Sequence, residues 1–204
     1  GTMTPTRTER YLHWGLIAAF LLNAVWILWI PSFPTLDGWT HLHTARMLFD
    51  GVPDGVYCPN PGIVPNRVGH LVLGALAQVF TPLVAERLFL ALLLFGTGAG
   101  AYALLRAFGG HSPLILLILP FTVNFMLVLG FHNFLLGMAL AFTFAAWWVS
   151  RKACTLFTLA GHLMAGIVLF YTHTTALVLY FLLTGGHELA LLAKLGERTS
   201  SGVL

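Results

Sequence analysis

The chain has 204 residues, of which 58% are hydrophobic and 8% are charged, and its formal net charge is +3. Its mean hydropathy is +0.85. Soluble domains carry about 25% charged residues, so this composition excludes an ordinary soluble protein and indicates an integral membrane protein. The basic residues are spread along the chain rather than gathered in one patch, which argues against a nucleic-acid partner.

Uncharged apolar stretches predict an all-α protein with about six transmembrane helices, in a single domain over residues 1–204. Ala107 to Ser150 contains no Asp, Glu, Lys or Arg over 44 residues. Because one crossing needs about 20 residues, this stretch must hold two helices. The 35 uncharged residues from Ala153 to His187 fit one long tilted span or two short ones, and two are preferred. The predicted spans are Tyr11–Ile30, Leu88–Leu105, Leu114–Leu129, Phe134–Val149, Leu156–Tyr171 and Thr174–Leu192.

The distribution of basic residues predicts which side of the membrane each loop occupies. With the N-terminus in the cytoplasm, seven basic residues fall inside and three fall outside, as the positive-inside rule requires. Both termini are then cytoplasmic. The inside residues are Arg7, Arg10, Arg106, Arg151, Lys152, Lys194 and Arg198, and the outside residues are Arg46, Arg67 and Arg87.

The longest loop, residues 31–67, is predicted to lie on the outer face. Six prolines and four glycines interrupt it, which leaves room for one short interfacial helix at about 39–49, with Asp37 or Thr40 near its N-terminus. The following segment, about 68–83, contains an apolar run of 13 residues. That run is too short for a crossing and is predicted to be interfacial or re-entrant. Gly96, Gly98 and Gly100 fall within the second span and predict close helix packing.

The densest group of ionisable residues follows the first span. Asp37 at the membrane edge can accept a proton from a hydroxyl group or bind a divalent cation. On a helix that begins early, His41 lies one turn after Asp37 and can face it. Arg46 carries a guanidinium suited to a phosphate, although an interfacial anchor is an equal alternative. His43 belongs to the same group.

Two further polar groups fall on the predicted outer side. His132 and Asn133 lie at the turn of the first hairpin, and His173 interrupts an apolar stretch. Turn capping and ordinary helix–helix hydrogen bonding are the simpler roles for them. The charge-derived topology nevertheless places them on the same side as Asp37, so we expect His132 or Asn133 to approach the Asp37–Arg46 helix. His111, His162 and His187 fall elsewhere and are interpreted as structural.

A family resemblance rests on five segments. They are DGWTHLHTAR (37–46), GHLVL (69–73), PFTVNF (120–125), GFHNFLLG (130–137) and YTH (171–173). Together with one span followed by a long outer loop that opens on an Asp, they resemble the N-terminal module of type C membrane glycosyltransferases. More narrowly, they look like bacterial multispan proteins related to that superfamily.

The resemblance implies transfer of a sugar from a polyprenyl-phosphate donor at the outer face of the bacterial cytoplasmic membrane. It assigns Asp37 as the base or metal contact. The residues themselves suggest the other roles in such an enzyme, with His41 orienting Asp37 as a second catalytic residue. The expected substrate-binding residues are Arg46, His43, His132, Asn133 and His173. A second acidic residue is usual in the next outer loop, where this chain has His132 and Asn133, so dependence on a divalent cation stays open. Members tend to be longer, which implies a further domain or a partner subunit.

Two other functions compete with glycosyl transfer. The chain fits a non-catalytic membrane subunit or lipid-binding module that keeps the helix bundle without turnover. It also fits a membrane metal or haem protein that uses pairs such as His41 with His132 or His173. The haem alternative ranks last, because these histidines lie at the predicted rim rather than deep in facing helices.

The predicted topology can be tested by labelling single cysteines in intact cells with a membrane-impermeant reagent. A cysteine at Asp54 should react, because the 31–67 loop is outside, whereas a cysteine at Arg151 should not. Equal labelling of the two positions would contradict the orientation drawn from the basic residues.

Overall fold

The structure, a computed structural model, describes residues 7–29, 35–52, 62–109, 122 and 124–201. Every regular element within these residues is an α-helix. The helices are α1 (Arg7–Trp29), α2 (Gly38–Asp50), α3 (Val68–Val79), α4 (Pro82–Ala107), α5 (Phe125–Leu129), α6 (His132–Val149), α7 (Leu156–Thr172) and α8 (Thr174–Ser201). The all-α class predicted from composition is therefore confirmed for the described part of the chain.

Four described helices are long and apolar enough to cross a membrane. They are α1, α4, α6 and the part of α8 up to Lys194. The apolar helices α3 and α7 have 12 and 17 residues. The predicted span Leu114–Leu129 falls largely outside the described residues, and its described end forms only the five-residue α5. The membrane-protein class is thus supported, and the count of six spans stays a prediction.

The centre of the bundle is the contact between α4 and α6, which depends on glycine. A side chain at Gly100 would meet the carbonyl oxygen of Ala139 at 2.7 Å, and one at Gly96 would meet the Ala139 methyl group at 3.2 Å. A side chain at Gly98 would enter the ring of Phe20 on α1. The predicted packing role of these three glycines is confirmed, and it explains how three helix backbones come so close.

The helices α2 and α3 form a pair that packs on α4. Their bounds agree within one residue with the predicted helix at about 39–49 and the apolar run at 68–80. Leu42 and Ala45 are buried in the core, and Gly74 on α3 admits the backbone of Ala45, whose carbonyl oxygen would lie 2.8 Å from a side chain there. Trp39 remains 59% exposed, as expected for a helix whose outer face meets lipid headgroups.

A tight turn leads from α5 into α6 and determines where α6 begins. Asn124 caps α5 by accepting a hydrogen bond from the Leu127 amide at 3.1 Å. Gly130 then adopts a left-handed conformation with φ of 83°, which glycine reaches without the steric cost of a side chain. The carbonyl of Val128 accepts a hydrogen bond from the Leu36 amide at 2.9 Å. The start of α6 is thereby held against the start of α2.

Candidate functional site

Three histidines from three helices meet beside the start of α2, and we call them the histidine cluster: His41 on α2, His70 on α3 and His132 on α6. The Nδ1 atom of His41 lies 2.8 Å from Nε2 of His70. The ring centroids of His41 and His132 are 4.8 Å apart. The expected approach of His132 to the Asp37–Arg46 helix is therefore confirmed, whereas the chemical role of these side chains remains a proposal.

A backbone carbonyl group lies at the outer nitrogen of His70. Nδ1 of His70 lies 2.9 Å from the carbonyl oxygen of Asn66, one helical turn earlier. The Gly130 carbonyl, just before α6, raises the pKa of His41 and so favours a proton on that ring, although burial lowers this pKa by more. Since a carbonyl oxygen can only accept, the contact with Asn66 calls for an N–H at Nδ1 of His70.

His132 is the most deeply buried member of the histidine cluster. Its side chain is 1% exposed, and neither ring nitrogen has a hydrogen-bond partner. Phe89 on α4 packs against it edge to face, with ring centroids 5.6 Å apart. A buried polar group without a partner is costly, at roughly 1–3 kcal/mol, so His132 is the side chain in this cluster that most needs an additional polar contact.

Asn133 joins α6 to α3. Its Oδ1 atom accepts a hydrogen bond from the Gly69 amide at 2.8 Å, and the amide group is 5% exposed. Gly69 lies in the first turn of α3, where backbone N–H groups have no partner within the helix. The side chain of Asn133 supplies that partner. Because His70 follows Gly69 on α3, the same hydrogen bond holds His70 beside the other two histidines.

Asp37 immediately precedes α2 and lies against Gly130. A side chain at Gly130 would come within 3.2 Å of the Asp37 Cβ atom. The backbone carbonyl of Asp37 accepts a hydrogen bond from the His41 amide at 3.0 Å. The Asp37 carboxylate makes no capping hydrogen bond to α2, so the simpler role as a helix cap is absent from this arrangement.

The electrostatics of the His41–His70 pair favour neutral imidazoles. Burial lowers the pKa of His41 below its ordinary value of 6.5, although the Gly130 carbonyl and the charge of Asp37 oppose this shift. Burial also lowers the pKa of His70, with a further contribution from the charge that His41 would carry. Both rings thus favour the neutral form more than a free imidazole does, and each is a weaker base.

Glu86 is a site residue that the sequence interpretation missed. Its side chain, at the start of α4, is 3% exposed. Its carboxylate and the Thr35 hydroxyl together fill the space where a side chain at Gly38 would stand, so it lies beside the residue that follows Asp37. A signal was present in the sequence, because Glu86 is the only acidic residue between Asp54 and Glu188. His70 was also absent from the expected site residues.

The remaining predicted site residues are not among the side chains that meet in the histidine cluster, and the contacts of Arg46 and His173 are with other residues. Arg46 forms an ion pair with Asp50 at 3.2 Å, and both side chains are about half exposed. Gln78 on α3 donates to the same carboxylate at 3.0 Å. His43 is exposed on α2. His173 packs edge to face on Phe134, with ring centroids 5.4 Å apart, and its Nδ1 accepts from the Thr175 amide. Their substrate-binding roles remain predictions.

The alternative of a haem or metal site gains no support from the packing. His41 and His132 lie ring against ring, so they would have to separate to ligate one haem iron. Within the described residues, no group of three His, Cys, Asp or Glu side chains is placed to hold a metal ion. His162 is hydrogen bonded to the Tyr180 hydroxyl at 2.6 Å, consistent with its structural interpretation.

Comparisons of the chain with protein-family models, with curated proteins and with solved structures found no match.

The role of Asn133 can be tested by substituting Asn133→Leu. The change keeps the approximate side-chain size but leaves the buried Gly69 N–H without an acceptor, so the free energy of unfolding should fall by about 1–3 kcal/mol. Unfolding by titration with sodium dodecyl sulfate measures this. Asn23→Leu is the matched control, because the Asn23 amide only donates to the Ala19 carbonyl within α1, and its effect should stay below about 0.5 kcal/mol. Equal losses for the two variants would contradict the role assigned to Asn133.

Proposed function

We propose that this chain is a glycosyltransferase-like membrane module that transfers a sugar from a polyprenyl-phosphate donor at the outer face of the bacterial cytoplasmic membrane. The observation that supports this most is the convergence of Asp37 with the histidine cluster at one place where three helices begin. A carboxylate beside neutral imidazoles is a combination of side chains suited to general base catalysis. Both termini are cytoplasmic in this proposal, as the basic residues predict.

In the proposed reaction, Asp37 removes the proton of an acceptor hydroxyl. The acceptor oxygen forms a bond to the anomeric carbon of the sugar, the bond from that carbon to the phosphate oxygen breaks, and polyprenyl phosphate leaves with the electron pair. A single base and one displacement lead to inversion at the anomeric carbon. His41, one turn after Asp37, orients the carboxylate.

An apolar groove between α7 and α8 suits the lipid chain of such a donor. Its volume is about 690 Å³, and its lining includes Ile63 and also Tyr171, which lies at the C-terminal end of α7. The carbonyl of Tyr171 accepts a hydrogen bond from the Arg67 amide at 2.8 Å, directly before α3 and His70. A chain in this groove would therefore bring its phosphate to the end of the bundle that holds the histidine cluster. The other lining residues are Leu159, His162, Leu163, Gly166, Ile167, Phe170, Leu177 and Phe181.

The phosphate itself is assigned to Arg46 and His132 in this proposal. An Arg guanidinium donates in a fork that matches phosphate oxygens, and His132 has ring nitrogens that lack any protein partner. Arg46 forms an ion pair with the Asp50 carboxylate. On binding of the donor, the phosphate would replace this carboxylate as the anionic partner of Arg46. Because this ion pair is exposed, it is worth little, and the exchange costs little.

A second candidate function is lipid binding without turnover, and the groove between α7 and α8 favours it independently of Asp37. A divalent cation is not required by the geometry, although Asp37 and Glu86 are oxygen ligands of the type such cations prefer. The two functions differ in one measurable respect, since only the enzyme consumes the donor.

Substitution of Asp37→Asn tests the catalytic role. The change removes the basic carboxylate, so the rate of transfer from a polyprenyl-phosphate sugar should fall by about 10²–10⁴-fold. Stability should change by less than about 1 kcal/mol, because Asn suits the start of a helix as well as Asp does.

Arg46→Lys is the companion variant. It keeps the positive charge but loses the forked donor geometry of the guanidinium, so it should raise KM for the donor. Turnover of Asp37→Asn at the wild-type rate would end the proposal, and donor binding by the wild type without turnover would favour the lipid-binding module.

The lipid groove is tested by Gly166→Leu. A side chain at Gly166 meets only ordinary contacts, 3.6 Å to Phe181 and 3.8 Å to Leu177, so the added atoms should occupy the groove rather than distort the helices. Affinity for a long-chain polyprenyl phosphate should fall by about tenfold or more, at roughly 0.8 kcal/mol for each displaced CH₂ contact. Gly185→Leu on α8 is the control, because nothing lies within 4 Å of that position. Equal affinities of the two variants would show that the lipid binds elsewhere.

A further inference from the structure

Two arginines and two aromatic rings surround a recess at the N-terminal end of α1. The recess has a volume of about 250 Å³ and is lined by Arg7, Arg10, Tyr11 and Trp14. The Nε atom of Arg7 donates to the Tyr11 hydroxyl at 3.0 Å, and the Cζ atom of Arg7 lies 5.6 Å from the centroid of the Tyr11 ring. That contact uses one of the five N–H donors of a guanidinium, so the other donors of Arg7 can bind an anion.

The side chains around this recess suit the headgroup layer of a membrane. Tyr11 and Trp14 are 61% and 67% exposed, and both arginine side chains are exposed. At the end of a helix that is apolar enough to cross a membrane, arginine and tryptophan occupy the level of the lipid headgroups. Arg7 and Arg10 are three residues apart, so they lie on one helix face and present two positive charges there.

An apolar groove between α1 and α4 adjoins this recess. Its volume is about 300 Å³, and the small residues Gly98 and Ala99 form part of its wall on α4. On α1, the residues Arg10, Trp14, Ile17 and Leu21 follow one another at spacings of four, three and four, which places them along one stripe of the helix. Because Ile17 and Leu21 line the groove, this stripe connects the arginines to it.

The polar side chains that line the groove satisfy each other. Nε2 of His13 lies 2.7 Å from the hydroxyl oxygen of Tyr102, and Nδ1 of His13 lies 2.6 Å from the carbonyl oxygen of Glu9. Since a carbonyl can only accept, Nδ1 carries the ring hydrogen and Nε2 accepts from the Tyr102 hydroxyl. Both ring nitrogens thus have partners, so the groove suits a hydrocarbon chain rather than a polar group.

We propose that the recess and the groove together bind one anionic phospholipid, with its phosphate between Arg7 and Arg10 and one acyl chain along Ile17 and Leu21. Guanidinium groups donate in a fork that matches phosphate oxygens. Leu21 lies 11 residues after Arg10, which corresponds to about 16 Å of helix. One leaflet supplies half of a hydrocarbon core of about 30 Å, so the site has the length of one acyl chain below its headgroup. It lies apart from the groove between α7 and α8 and does not depend on the proposed function.

Native mass spectrometry of the full chain with added phosphatidylglycerol tests the phosphate contact. The wild type should bind one phosphatidylglycerol more tightly than phosphatidylcholine with the same acyl chains. Arg7→Gln combined with Arg10→Gln should weaken this binding by about 25-fold, because each basic residue near anionic lipid contributes a factor of about five. Lys152→Gln combined with Lys194→Gln is the matched control, which removes two charges from exposed side chains elsewhere and should change the affinity by less than about twofold. Equal affinity for the two lipids, or equal losses in the two double variants, would overturn the proposal.

The acyl-chain contact is tested by Ala99→Leu. Ala99 is exposed and lines the groove, so the larger side chain should occupy the space of the lipid and weaken binding of long-chain phosphatidylglycerol by about tenfold, the effect of displacing about two CH₂ groups. Ala190→Leu on α8 is the control, because Ala190 is exposed and lies outside both grooves. An unchanged affinity in Ala99→Leu would overturn the proposed path of the chain. A dimer that Ala99→Leu dissociates, without a bound lipid in the wild type, would show that the groove joins two copies of the protein and would also overturn the proposal.

Discussion

The hydrogen bond from the Gly69 amide to Oδ1 of Asn133, 2.8 Å long and buried, is the constraint on which the rest of the site depends. The first turn of any helix leaves N–H groups without partners, and an apolar environment makes each of them costly. The Asn133 side chain on α6 accepts the hydrogen bond that the first turn of α3 needs. This hydrogen bond fixes the position of α3 relative to α6. That position sets His70 against His41, and the Gly130 turn sets His41 beside His132.

Glycine makes this arrangement possible at each close approach. Gly69 lies against Asn133, Gly74 admits the backbone of α2, and Gly130 admits Asp37. Each glycine removes the side chain that would otherwise hold two helices apart. The result is a group of polar side chains enclosed by apolar helices, in which His70 contacts both a carbonyl group and the ring of His41. An enclosure of this kind strengthens electrostatic interactions.

The sequence predicted the helices better than it predicted the contacts between them. The bounds of α2 and α3 followed from proline and glycine spacing and from the length of one apolar run, because these signals are local. Charge distribution placed His132 on the side of Asp37, and the structure brings them together. His70 and Glu86 were missed because their importance arises from packing between α2, α3 and α4, which no local pattern encodes. The i,i+4 spacing of Arg46 and Asp50 is typical of an ion pair on one helix face, and the structure contains that pair.

The central claim is that the start of α2 lies against the turn that begins α6, and a disulfide between Asp37→Cys and Gly130→Cys tests it most directly. A Cβ atom at Gly130 would lie 3.2 Å from that of Asp37, slightly nearer than the separation of about 3.5–4.5 Å found in disulfides. A cysteine at this left-handed position, with φ of 83°, costs about 1–2 kcal/mol, so full-length folded protein is isolated before oxidation. With Cys58 and Cys154 changed to serine, oxidation in membranes followed by peptide mass spectrometry should detect the bond in most molecules. The control pair, Asp37→Cys with Gly185→Cys, should remain reduced. Cross-linking of the first pair no greater than that of the control would contradict the account.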